Sequence, residues 1–178
     1  MLQNNMIAHL FLLQATIPDR LIASARDQLT WGTTYDPGYT SLKYPGGDVD
    51  RKLGVCTDVI IRAYRAIHLD LQKLIIEHKR GHMAMYPKGK LDSNIDHRRV
   101  KNMVVFFKAR GASLPLNSDW RPGDVVTWIL NNGRDHVGLV TNRRGPSGRL
   151  EVVHNMSTPK EEDVLGSWKI VGHFRFPK

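Results

Sequence analysis

Residues 123–155, GDVVTWILNNGRDHVGLVTNRRGPSGRLEVVHN, decide the fold class. Three short runs rich in β-branched and aromatic residues, GDVVTWIL, HVGLVTN and LEVVHN, are parted by the turn signals Asn131-Asn132-Gly133 and Gly145-Pro146-Ser147-Gly148, which is how strands joined by tight turns read. A fourth such run, KIVGHFRF, follows near the C-terminus. Upstream the spacing is helical. DRLIASARDQLTW, opened by Pro18-Asp19, carries Leu21, Ile22, Ala25 and Leu29 on one face and ends at Gly32. Val59, Ile60, Ala63, Tyr64 and Ile67 share a face after Cys56, Asp70 caps LQKLIIEHKR, and RRVKNMVVFFKARG stops at Gly111. Helices first and an antiparallel meander second predict an α+β domain.

Two irregular connections interrupt the helices. Residues 33–54, rich in Gly, Pro, Asp and Tyr, lack any period, and GHMAMYPKGKLDSNIDH is a second such stretch. Loops this long in compact domains often carry function. The 178 residues fit a single domain, read as 19–178. Residues 1–18 are read as an N-terminal arm, helix or degenerate signal segment: Met6 to Leu13 is apolar, but no Lys or Arg precedes it. That stretch is too short to span a bilayer, so no transmembrane span is expected.

Composition narrows the chemistry further. One cysteine excludes an intramolecular disulfide and any zinc site built on two or four cysteines. A net charge of +9 predicts attraction to a polyanion such as nucleic acid, an anionic lipid surface or a bacterial wall. No recognition-helix or ribonucleoprotein-type aromatic pattern is visible, so no specific nucleic-acid partner is expected. His78, His82 and His97, spaced by 4 and 15, read as solvated histidines rather than metal ligands, and no cofactor is expected.

The single cysteine lies in KLGVCTDVI, residues 52–60. A lone cysteine is commonly a small buried hydrophobe. At a helix start its sulfur would instead meet unpaired backbone N–H groups and the positive end of the helix dipole, which favour a thiolate. A nucleophilic thiol then needs a base and a group to orient that base. His136 and His154 lie on expected strands whose hairpin would join their ends, giving a helix-borne cysteine that faces two strand-borne histidines. Either histidine also reads as an ordinary polar group at a strand end, and Asn155 as a turn residue.

The order GVCTD, WRPGDVVTW, HVGLVT and VVHN resembles the NlpC-type papain-like cysteine peptidases of bacteria. YPGGDVDRKLGVCTDVIIRAYR, NIDHRRVKNMVVFF and EDVLGSWKIVGHFRF are similar to a bacterial family known as domain of unknown function 1287, over about Arg20 to the C-terminus. The resemblance implies a papain-like fold, Cys56 as nucleophile, His136 as general base and acid, and His154 as the residue holding the imidazole, with Asn155 the competing choice. It also implies a tyrosine donor to the oxyanion, Tyr44 in YPGG or else Tyr35. Asp58 and Asp135, beside the nucleophile and the base, complete the expected oxyanion or substrate-groove set. Where the broader group has Asp-Cys-Ser-Gly, this chain has Val55-Cys56-Thr57-Asp58.

The function expected on these grounds is a cysteine hydrolase of amide bonds, an amidase or endopeptidase of peptidoglycan peptides. Its partner would be peptidoglycan or another anionic cell-envelope substrate, and its place the periplasm or the cell exterior. The competing expectations are a thiol acyltransferase or lipid esterase on the same fold, a secreted antibacterial toxin, and a non-enzymatic polyanion-binding module.

Overall fold

The computed structural model describes residues 15–177. Most of the expected N-terminal arm therefore lies outside the described residues. The first helix, α1 (Ile17–Asp27), begins in a capping box: Thr16 Oγ1 accepts the Asp19 N–H, and the Asp19 carboxylate accepts the Thr16 N–H. Its buried Leu21, Ile22 and Ala25 face the core. After the following loop come α2 (Cys56–Arg65), α3 (Leu71–Gly81) and α4 (Val100–Ala109). Asp70 caps α3 by accepting the N–H groups of Gln72 and Lys73, and α4 stops before Gly111, whose φ of +66° suits a residue without a side chain.

The loop over 33–54 is closed by a small parallel pair, β1 (Thr34–Tyr35) and β2 (Leu53–Gly54). The C-terminal half forms a five-stranded sheet from β3 (Val125–Ile129), β4 (Asp135–Arg144), β5 (Leu150–Asn155), β6 (Pro159–Glu162) and β7 (Lys169–Phe174). Its order is β6-β5-β4-β3-β7, with every neighbouring pair antiparallel. The α+β class therefore stands, with two corrections. The sheet is not a plain meander, because β7 returns to pair with β3 on the far side from β4. An additional strand, β6, forms from a polar stretch outside the four expected runs.

Asp124 explains the return of β7. Its buried carboxylate ends the Pro-Gly-Asp turn that leads into β3, accepts two hydrogen bonds from Arg175 at 2.7 and 2.8 Å, and pairs with His173 Nε2 at 2.7 Å. Both partners belong to β7 or the residue after it, so one charge clamps the two strands.

Apolar side chains cover both faces of the sheet. The helical face packs Val59, Ile60, Tyr64, Phe106 and Phe107 against Val125, Val137, Leu139, Val153 and Phe174. The other face holds Val126, Trp128, Val140, Val152 and Leu165, with Trp168 against them. Fully burying each large side chain of this kind is worth about 1.5–3 kcal/mol. Gly138 is required on that second face, because a Cβ there would collide with Val152 Cγ1 and lie 3.1 Å from Trp128.

Candidate active site

Cys56 is the first residue of α2, as the sequence predicts. Val55 has no side chain with which to cap the helix; the Asp58 carboxylate does so by accepting the Val55 N–H at 2.7 Å. The same carboxylate takes two hydrogen bonds at 2.9 Å from Arg98, and both side chains are buried. Thr57 Oγ1 donates to the Arg98 carbonyl at 2.9 Å. The start of α2 is thus fastened to a 3₁₀ turn over Asp96–Arg98. Asp58 does not line a groove, because capping and the ion pair turn it inward.

The thiol itself is buried. Burial pushes its pKa up to about 12; hydrogen bonds from the N–H groups of Val137, Thr57 and Cys56 itself pull the other way and are outweighed, while nearby Asp58 adds to the rise. In the substrate-free protein the thiol is therefore neutral, and the dipole of α2 alone does not make a thiolate. Cys56 borders a cleft of about 420 Å³ that is also lined by Tyr35, Ile95, Arg99, Arg134 and Asp135. Tyr35 is the tyrosine next to the thiol: its own pKa is raised by burial and by the neighbouring sulfur. Tyr44, the expected oxyanion donor, is not among the residues around this cleft, and its buried hydroxyl has no partner. Asp135 does line the cleft, 3.7 Å from the ammonium of Lys101.

The two strand histidines meet. His136 Nε2 and His154 Nδ1 are 3.0 Å apart, and His154 Nε2 lies 3.1 Å from Glu162 Oε2 on β6. This His-His-Glu chain is flanked by Trp128, with ring centroids 5.7 Å from His136, and by Trp168, 5.9 Å from each histidine. Burial drives the His136 pKa down to about 3, helped by His154. Burial also lowers that of His154, opposed by the charge and hydrogen bond of Glu162. Both rings are therefore neutral at pH 7.

The sulfur accepts from the N–H of Val137, the residue after His136, so Cys56 and His136 reach the same end of β4. No hydrogen bond joins their side chains among the described residues. The His136 ring stands beside Trp128 on the far face of the sheet, while Val137 packs with Cys56 on the helical face. Contrary to the expectation from sequence, the cysteine therefore does not face the two histidines: alternation along β4 and β5 turns both rings away from it. Asn155 takes the place that alternation gives it, on the helical side. Its amide donates to the Gly54 carbonyl at 3.2 Å and its Oδ1 has no partner, so it braces the entry to α2 rather than holding His136.

Glu162 is the residue that sequence reasoning missed. The register that pairs His154 with Lys160 brings it diagonally next to His154, and alternation within Lys160-Glu161-Glu162 is the signal that would have found it. Among the described residues no group of three His, Cys, Asp or Glu side chains could hold a metal ion. His78 and His82 stack on each other, with centroids 4.3 Å apart, while His97 is buried rather than solvated. No helix among the described residues is long and apolar enough to cross a membrane.

Comparison with known proteins adds a relationship without an activity. The family model "Domain of unknown function (DUF1287)" matches residues 22–176. "Uncharacterized protein YijF" of Escherichia coli (strain K12) is 44% identical over 172 residues, covering 92% of this chain and 84% of that protein.

Proposed function

The chain belongs to the bacterial DUF1287 family, and we propose that it is a papain-like cysteine hydrolase of the NlpC type that cleaves amide bonds in peptidoglycan peptides. The observation that carries this reading is a lone thiol at a helix start that borders a cleft and accepts a hydrogen bond from the backbone of β4 beside His136.

In this mechanism the substrate carbonyl enters beside Cys56, and His136 takes the thiol proton as the sulfur attacks. The neutral thiol and neutral imidazole are the correct starting forms for that transfer. In the substrate-free protein the His136 ring stands on the sheet face opposite the sulfur, so this step requires the ring to swing round the end of β4 when substrate arrives, a larger change than the tightening of a hydrogen bond. His154 holds the imidazole through its Nδ1, and Glu162 holds His154. Tyr35, which lines the cleft beside the thiol, is the donor we assign to the developing oxyanion. His136 then gives its proton to the leaving amine, and water hydrolyses the thioester to release the acid and restore the thiol.

The net charge of +9 suits an anionic envelope, and we place the protein in the periplasm or outside the cell on that ground. The test is digestion of purified peptidoglycan with mass spectrometry of the products. Cys56→Ala is expected to abolish cleavage while circular dichroism stays native; cleavage at the wild-type rate by the folded variant overturns the proposal.

A further inference from the structure

The cleft at Cys56 does not end at the thiol. A second depression, lined by Lys79, Lys88, Lys90, Asp92 and Asp96 among others, shares Pro87, Ile95, Arg99 and Asn102 with it, so the two form one groove. The charges along it divide into neutralised and free. Lys79 pairs with Asp96 at 2.8 Å with both side chains buried, and Arg98 is held by Asp58. Lys88, Lys90, Arg99 and Arg134 join no ion pair among the described residues. Lys101 has only the 3.7 Å contact with Asp135. Asp92 is occupied as an acceptor, taking the Tyr39 hydroxyl and the Asn94 N–H.

We propose that this groove is a subsite for carboxylates: it selects peptides that carry free carboxylates near the scissile amide, with Arg99 at its centre and Lys88 and Lys90 along its far arm. The inference rests on the thiol-hydrolase reading for which bond is cut, and on the groove alone for what is bound. Arg99 belongs to both depressions, so a carboxylate on it lies between the thiol and the lysine arm. Single cations spaced along a groove, with Asp92 and Asp135 set among them, favour separated carboxylates over a continuous phosphodiester, which those two aspartates would repel.

The experiment uses the Cys56→Ala protein and calorimetric titration with stem peptides released from bacterial peptidoglycan, carboxylates either free or converted to carboxamides. Free-carboxylate peptides are expected to bind roughly tenfold or more tightly than amidated ones, the scale of one charge-assisted hydrogen bond. Arg99→Ala, an exposed change, is expected to remove most of that difference and the paired Lys88→Ala/Lys90→Ala variant part of it, with the preference shrinking as salt rises. Equal affinity for the two peptide pools, binding of neither, or an unchanged preference in Arg99→Ala overturns the inference. Tighter binding of a single-stranded oligonucleotide than of the free-carboxylate peptides also overturns it, in favour of a phosphate polymer. The two readings fail separately: cleavage that survives Cys56→Ala defeats the thiol mechanism and leaves the carboxylate preference standing, whereas a dead Cys56→Ala variant without preference defeats the groove alone.

Discussion

Glu162 closes the histidine chain, and its carboxylate is what favours a protonated His154 against the effect of burial. Replacing it by Gln leaves burial unopposed, so the His154 pKa falls further. Titration of the imidazole signals by NMR is expected to show His154 moving to lower pH in Glu162→Gln, and an unchanged titration would mean that the carboxylate does not act on the ring. Cys56 makes a second prediction at this scale. With its thiol pushed up to about 12, against about 8.5 for an exposed cysteine, the thiolate fraction at neutral pH is lower by roughly 10³-fold. Alkylation by iodoacetamide, followed by intact mass, is therefore expected to be far slower than for a free thiol and to go on accelerating with pH above 9. A rate that levels off near pH 8 would contradict the burial described here. Tyr35 and Tyr44 mark how far single residues were legible. Cys56 at a helix start follows from local sequence, but which of two loop tyrosines reaches it depends on the path of a long aperiodic loop, and no spacing encodes that path.

Among the elements, the start of α2 is the most exposed to damage, because a single carboxylate both caps the helix and neutralises Arg98. Asp58→Ala leaves an uncompensated buried guanidinium, and removing one partner of such a pair typically costs about 3–5 kcal/mol. Urea unfolding is expected to show a loss of that order, with Asp58→Asn, which keeps an oxygen for the cap, losing less. Gly138→Ala is expected to cost about 1–3 kcal/mol by overpacking, read by the same measurement, since the new methyl meets Val152 and Trp128. The helix starts and four of the strands were legible because Pro18, Asp70 and Gly111 punctuate the helices and β-branched runs mark the strands. Strand β6 was not: Pro159-Lys160-Glu161-Glu162 has turn-like chemistry, and it is a strand because it lies at the sheet edge, where charges and proline are at home. The return of β7 was hidden for another reason. It depends on Asp124 meeting His173 and Arg175, about fifty residues away, and only tertiary structure states that pairing.

Taken whole, the molecule keeps several ionisable groups neutral, and this fixes the pH range in which it is stable. His136 and His97 are held by burial at about 3 and about 4, below their ordinary value near 6.5. Between those values the unfolded chain binds protons that the folded one refuses, so stability falls as pH drops below about 6.5. Cys56 works from the other side: folded, it keeps its proton to about 12, whereas the unfolded thiol loses it near 8.5, so stability also falls as pH rises beyond that point. Melting temperatures measured from pH 4 to 10 are expected to peak between about 6.5 and 8.5, and a profile still rising at pH 5 as acid is added would show that the histidines are not buried neutral. The indoles around the histidine chain carry one last consequence. Trp128 stands 5.7 Å from the ring of His136, and Trp168 5.9 Å from the rings of both histidines, so intrinsic fluorescence becomes an unlabelled optical gauge of the imidazoles. Withdrawal of His136 from Trp128 on arrival of a ligand would register as a change in emission, fast enough to follow by stopped flow.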